Sequence, residues 1–536
     1  MWSKEMARLS SLLCALAAAK TAWSAALPSD QQPVATADVI IIGAGISGIA
    51  VARELALEHN ITDFLILEAR SEPGGRAHTE SLTNPKTGHV TKVEKGCNWI
   101  QGPRRQNITK LAKKYNLQTA PQDYDNRTWF EGRRGVDEAD TVDVAAGKFV
   151  DIDASGLATL YDDISSRILD FIQNRLDDME VDLTARTGLS MLGWRPKTAL
   201  QRLYEWVNVD FTTAQPPQVC SLYNAFEQED YAGADEPEQL VIDQRGYKHI
   251  FVEELNAALA AAGPPASQRL HLDTTVTEIN WSPASPSRLV HTNRGLFAAR
   301  KHVVSTLSIG VLQDDRVKWT PPLPDWKQEA IFSFGMAVYQ KIFLLFDRAF
   351  WGPEQFTYYA DPEVRGRWPV WQNLNAEGFF NGSEDGYILF NTHVDAEARR
   401  VARMPDEDVR AEAMLKLREI YGADVPEPLD ILVPRWDLDP LYMGSYSNWP
   451  LGQLDQHHWN LRQPVGKRKE VFFTGESNSR EMFGYVQGAW EDGKETAGRV
   501  AGCLTGAECP SSLVYETIKT CVEAGSVVKR FEGSWY

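Results

Sequence analysis

Cysteine and histidine are scarce: 6 Cys and 10 His serve 536 residues. No spacing among them resembles a zinc site, so no metal is expected. Basic residues are outnumbered, with 55 Lys and Arg against 73 Asp and Glu, a formal net charge of −18. A field of that sign repels nucleic acid and attracts cations, which excludes nucleic acid as an expected partner. After residue 26 no apolar run is long enough to span a bilayer, so no stable membrane span is expected. Internal repeats and low-complexity tracts are also missing, and with them the case for a solenoid or a disordered scaffold.

Aromatics are plentiful, with 17 Trp and 17 Tyr, enough for a large core and an aromatic-lined pocket. The length suits two to three domains. Residues 1–26 read as a secretory signal: Lys4 and Arg8 precede an apolar stretch from Leu9 to Ala19, and Ser24 and Ala26 suit a cut after Ala26. The expected location is therefore extracellular. Removing that segment takes away a net +2 and leaves the chain near −20. It also leaves Cys97, Cys220, Cys503, Cys509 and Cys521, of which Cys503 and Cys509 are close enough in sequence for a local disulfide. Five Asn-x-Ser/Thr sequons occur, at Asn60, Asn107, Asn126, Asn280 and Asn381. Asn107, Asn126 and Asn381 lie in polar, loop-like contexts and are the better glycan acceptors.

The chain opens on a β-α-β pattern: an apolar strand at 38–42, a helix over 46–59 and a second apolar strand at 64–67. Between the first strand and the helix stands Gly43-Ala44-Gly45-Ile46-Ser47-Gly48. Gly43 permits the tight turn, Gly45 a close approach to a pyrophosphate, and Gly48 close packing of helix on strand. The helix N-terminus then faces the phosphate charge. Glu68 ends the second strand, where an acid accepts ribose hydroxyls. Gly74-Gly75-Arg76 follows, a turn beside the dinucleotide with an Arg to complement its charge. Near the C-terminus, Phe473-Thr474-Gly475-Glu476 ends another buried strand and a helix begins near Tyr485-Val486. Glu476 suits a ribityl chain, and the helix N-terminus suits an electron-rich flavin edge. These three features together predict FAD rather than NAD. Strand patterns at both ends of the chain imply one domain assembled from distant segments.

These motifs resemble the flavin amine oxidase family (monoamine and polyamine oxidases) over roughly residues 38–505, and within it the plant-type, secreted polyamine oxidases. Gly96–Gly102, Asp243–Tyr247, Met336–Phe343, Ile431–Trp436 and Ser445–Pro450 carry the likeness. The resemblance implies an α/β (mixed α+β) fold, with a Rossmann-like FAD-binding domain interleaved with a substrate-binding domain. The expected boundaries are 36–130, 240–330 and 440–505 for the first, 131–239 and 331–439 for the second, and 506–536 for a tail. It also implies that Cys503 and Cys509 form the family's C-terminal disulfide, and that Val276 and Val486 line the cofactor.

Residues 336–346 read as a strand on which Ala337, Tyr339, Lys341 and Phe343 share one face. By pattern alone Lys341 is either a buried cation or an edge-strand lysine reaching water. The resemblance makes it the lysine that holds a water at flavin N5. It likewise makes Tyr446 and Tyr485 the rings that flank the substrate nitrogen, with Trp99, Trp436 and Tyr339 shaping the pocket. Two departures stand out: Gln101 and Thr212 occupy positions where the plant-type enzymes carry Glu. Glu227, Glu229 and Asp230 form an acidic run that either substitutes for those acids or is a solvated face. The expected activity is oxidation of a polyamine-like secondary amine by O2, yielding an imine and H2O2. Two alternatives are a same-fold oxidase of a specialised amine or alkaloid and a flavin-binding protein without catalysis. Ser477–Phe483 contains no Cys, so the expected FAD is non-covalent.

Overall fold

The computed structural model describes residues 32–102, 106–132, 148–226, 237–263, 265, 268–507 and 509. The leader at 1–26, the acidic run at Glu227, Glu229 and Asp230, and Cys521 lie outside the described residues.

The chain is mixed α/β. Among the described residues five parallel strands form the first layer, in the order Leu270–His271, Phe64–Leu67, Ala35–Ile42, Gly295–Ser305, Val471–Phe473. They read as continuous apolar runs because both faces are covered. Val39, Ile41, Phe64 and Ile66 pack against the helices Ile46–Arg53, His249–Ala261 and Val486–Thr505. Ile40, Ile42, Leu65 and Leu67 face a second cluster with Val276, Ile309 and Ile331. The Gly295–Ser305 strand has a double life. It runs parallel to Ala35–Ile42 from Phe297 to Ser305, and its first half also starts an antiparallel wing through Arg288–Thr292 and Val276–Asn280.

Among the described residues a second sheet has seven strands, in the order Asp430–Leu432, Tyr339–Phe346, Tyr387–Val394, Val370–Asn373, Phe356–Ala360, Arg127–Glu131, Lys148–Phe149. All neighbours are antiparallel except Arg127–Glu131 beside Phe356–Ala360. On one face Ile342, Leu344 and Phe346 pack under the helices Asp395–Ala402 and Asp406–Tyr421. The opposite face carries Tyr339, Lys341 and Phe343.

Two elements differ from their sequence reading. The strand over 336–346 is split at Val338. Gly335–Ala337 pairs with Tyr446–Asn448, and Tyr339–Phe346 enters the large sheet. The Ser445 hydroxyl joins the pieces, accepting from the Tyr339 N–H at 2.9 Å and donating to the Tyr339 carbonyl at 2.8 Å. Residues 395–421, whose amphipathic pattern reads as one helix, form two, because Pro405 has no N–H to continue the first. Among the sequons, Asn126, Asn60 and Asn381 are exposed, whereas Asn107 is a helix residue whose amide donates to Glu491 at 2.6 Å. Cys503, in the last turn of the helix Val486–Thr505, forms a disulfide with Cys509 just beyond it, with Cα atoms 4.2 Å apart.

Candidate active site

The first β-α turn is a cradle built from two glycine motifs. A Cβ on Gly48 would lie 2.0 Å from the Gly43 carbonyl oxygen, so only glycine lets the helix sit this close to the strand. Gly75 adopts φ +60°, and a Cβ there would lie 2.9 Å from Gly45 Cα. The Gly74 N–H donates to the Ala44 carbonyl at 2.8 Å, locking the motifs together. Glu68 accepts from the Ala44 N–H at 2.7 Å and the Arg70 N–H at 2.8 Å. Burial pushes its carboxyl above the ordinary range, while those two N–H groups pull it down. The helix Ile46–Arg53 starts without a side-chain cap, so its first-turn donors stay open toward the turn.

From this cradle a cavity of about 1160 Å³ runs into the cleft between the two sheets. That exceeds the ~300–1,000 Å³ of an ordinary small-molecule site and leaves room for a dinucleotide and a second molecule. Arg76 does not stand free for a phosphate. It donates to Glu476 Oε1 at 2.8 Å and to the Ser445 carbonyl at 2.9 Å. Glu476 also accepts from the N–H groups of Ser447 at 3.1 Å and Gly484 at 2.8 Å. Val486 opens the long C-terminal helix, again with no side-chain cap, and lines the cavity with Val276.

Lys341 is buried, with 3% exposure. Its ammonium donates to the Glu94 carbonyl at 2.6 Å and to the Gly96 carbonyl. The Trp99, Phe343 and Phe390 rings lie 5.7–5.9 Å from Nζ. Burial pushes the amine down to about 7, opposed by the charge of Glu94. Tyr339 and Tyr446 hold ring centroids 6.1 Å apart, and the Tyr446 hydroxyl donates to the Thr212 carbonyl at 3.3 Å. Burial raises the Tyr446 hydroxyl well above its ordinary value, so it stays neutral. Tyr485 stands half-buried at the N-cap of the last helix. Trp99 donates to Gln122 at 2.9 Å, and Trp436 is buried with Lys95 Nζ 5.0 Å from its ring.

The sequence matches the family described as flavin-containing amine oxidoreductase over residues 46–501. The chain belongs to that family. Polyamine oxidase 1 of Zea mays is 33% identical over 511 residues, covering 93% of this chain and 97% of that protein. Polyamine oxidase 7 of Oryza sativa subsp. japonica is 34% identical over 487 residues, covering 87% of this chain and 95% of that protein. A solved structure of putrescine oxidase bound to putrescine superposes with a TM-score of 0.66 at 17% identity, covering 87% of this chain and 99% of that chain. That last likeness speaks for the fold alone.

As a flavin amine oxidase, the protein is an FAD-dependent enzyme. The donor set fits FAD: a glycine cradle that no Cβ would tolerate, Glu68 at its edge, and two uncapped helix N-termini on one cavity. Gly43, Gly45, Glu68, Arg76, Val276, Glu476 and Val486 all line that cavity, with Gly48 packed behind it. So do Lys341, Tyr446, Tyr485, Trp99, Gln101, Thr212, Tyr339 and Trp436. Gln101 and Thr212 each use a backbone carbonyl, accepting from Gln487 at 2.8 Å and from Tyr446. Several lining residues have no counterpart in the sequence reading, among them Tyr124, Asn208, Phe211 and Glu238. No local motif marks them; only the folding together of residues 119–131, 206–213 and 237–241 does.

Proposed function

We propose that the protein oxidises a C–N bond of a polyamine-like secondary amine. The amine gives up two electrons and two protons to become an imine, and O2 takes both to become H2O2. Water then splits the imine into an aldehyde and a smaller amine. Bound FAD supplies the two-electron chemistry. The observation that carries the reading is Lys341, a buried amine on the cavity wall beside Trp99 and the Tyr339–Tyr446 pair. Burial there leaves it able to hold or release a proton near neutral pH. The tyrosine rings exclude water and hold a neutral amine with its C–H bond toward the cofactor. Similarity to proteins named polyamine oxidase supports the substrate class.

The test is a substrate panel with peroxide detection, combined with anaerobic bleaching of the flavin. Peroxide from spermine, spermidine or their acetylated forms is expected; none from any of them sinks the polyamine reading. Gln101 and Thr212 favour a second reading, a specialised amine with fewer charges, which the same panel separates. FAD is expected to be non-covalent, since Ser477–Phe483 has no Cys, and acid precipitation should release the yellow colour. We also infer export, supported by the signal-like residues 1–26, the disulfide and the exposed sequons. N-terminal sequencing of protein from the medium should begin at Leu27; recovery of the uncut chain inside cells would refute export.

A further inference from the structure

The amine-oxidase reading makes Lys341 the group that handles a proton and leaves open what sets its charge. Its ammonium reaches two backbone carbonyls, those of Glu94 and Gly96, where the strand Val90–Glu94 ends. The cavity wall continues from Lys95 to Trp99 and leaves the Glu94 side chain behind it, 7% exposed. The Glu94 carboxylate accepts from the Tyr247 N–H at 2.8 Å and from the Thr79 hydroxyl at 3.1 Å. Both donors are neutral, so neither balances the charge of a buried carboxylate.

A motif holds these donors in place. The strand Thr79–Thr83 pairs with Val90–Glu94 and sets Thr79 opposite Glu94. Gly246 turns at φ +84°, and a Cβ on it would lie 2.1 Å from the Thr79 hydroxyl oxygen. Glycine at that turn lets Thr79 keep its bond to Glu94 while the next residue brings its N–H to the same carboxylate. Asp243-Gln-Arg-Gly-Tyr247, one of the stretches that carries the family likeness, thus ends on Glu94 and lines no part of the cavity.

The charges around the pair are few. Burial raises the Glu94 carboxyl, and the Tyr247 N–H, the Lys341 charge, the Thr79 hydroxyl and Lys248 pull it back toward the ionised form. Lys248 is itself committed to Glu72 at 2.6 Å. Lys341 feels Glu94 and Cys97. Burial pushes the Cys97 thiol up to about 12 and raises the Tyr247 hydroxyl well above its ordinary value, so both are neutral near pH 7. Arg76, which also acts on Cys97, is held by Glu476. The rings of Trp99, Phe343 and Phe390 around Lys341 carry no charge. That leaves Glu94 as the anion that favours the Lys341 ammonium against burial.

We propose that Glu94 is a positioning residue for the reaction: its buried charge keeps a proton on Lys341, and Thr79 and the 243–247 turn hold that charge in place. This rests on the reading of Lys341 as the group that holds or releases a proton during amine oxidation. The proton affinity of Lys341 then belongs to three segments, 79–94, 243–247 and 339–346, and not to its own burial alone.

The test reads Lys341 directly. Holoenzyme is pulsed with acetic anhydride, a reagent small enough to enter the cavity, at a series of pH values. Acetylation of Lys341, which only the neutral amine undergoes, is measured by peptide mapping. Stopped-flow bleaching by the fastest amine of the panel gives the kinetic limb over the same series. Glu94→Gln is expected to shift both midpoints to lower pH by about one to two units, because loss of the anion favours the neutral amine. Glu94→Asp keeps the charge and should restore most of the shift. Thr79→Val removes one donor from the carboxylate and should move both midpoints the same way by less; it carries the test if Glu94→Gln does not fold. Unchanged midpoints in yellow, folded Glu94→Gln overturn the proposal and leave the amine-oxidase reading intact. Equal shifts in Glu94→Gln and Glu94→Asp also overturn it, since they trace to displaced carbonyls and not to charge. So does an acetylation midpoint that moves while the kinetic limb stays. No bleaching of the wild type by any amine of the panel overturns the amine-oxidase reading and the proposal with it.

Discussion

Lys341 shows how burial changes the acid–base behaviour of a single side chain. Burial holds it near 7, so the neutral amine prevails above that pH and the ammonium below it. Flavin reduction that depends on the neutral form should rise with pH through about 7. Lys341→Met keeps the volume and removes the titration. Stopped-flow bleaching should then slow about 10²–10⁴-fold and lose that limb, while the limb from the substrate nitrogen persists. An unchanged pH profile would remove Lys341 from the proton inventory. Gly48 offers a second test. Its Cβ would collide with the Gly43 carbonyl, so Gly48→Ala should cost about 1–3 kcal/mol and yield protein with little bound FAD, read from its visible spectrum. Gly48 is legible from sequence because a short motif states both the backbone need and its context, whereas pattern alone left Lys341 open between a buried cation and an edge-strand lysine. Arg76 is less so: its type was readable, but its pairing with Glu476, 400 positions away, was not. Glu238 carried no signal, since a Glu after a Pro before a short strand has many uses.

Among the elements, the short helix Asp455–Arg462 has an unusual end. Lys327, fully buried, donates from one ammonium to the carbonyls of Asn460, Leu461 and Gln463, each at 2.7 Å. Burial pushes this amine well below its ordinary value, but three acceptors require three N–H bonds, which only the charged form has. The cation completes the helix C-terminus, where the orphan carbonyls and the helix dipole both favour it. Lys327→Met should leave those carbonyls without donors and cost roughly 3 kcal/mol, seen as a lower midpoint in urea at unchanged m. A neutral result would mean that water reaches the helix end. Element types were mostly readable from apolar periodicity. Boundaries failed where tertiary bonds decide: pairing of Gly335–Ala337 with Tyr446–Asn448 splits the 335–346 segment, and no local pattern announces that. The break at Pro405 was missed, although a proline inside a helical pattern already speaks against continuity.

Across the whole molecule, net charge and cavity work together. A chain at −18 draws polycations toward any opening, and salt weakens that pull over a Debye length of about 10 Å at 0.1 M. The kcat/KM for a triamine should therefore fall with ionic strength much more steeply than that for a monoamine. Parallel slopes would confine electrostatics to the site itself. That distant segments share one sheet was readable because strand patterns with cofactor chemistry recur at both ends of the chain; the pairing order of the second sheet was not, since antiparallel register leaves no motif. The strand Gly295–Ser305 adds a consequence in time. Its second half is flanked by a strand from residues 35–42 and by one from 471–473. The ribosome therefore releases one wall of the cofactor cradle hundreds of residues before the other. A nascent chain stopped at residue 465 should emerge colourless even in excess FAD, so that acquiring colour reports completed synthesis.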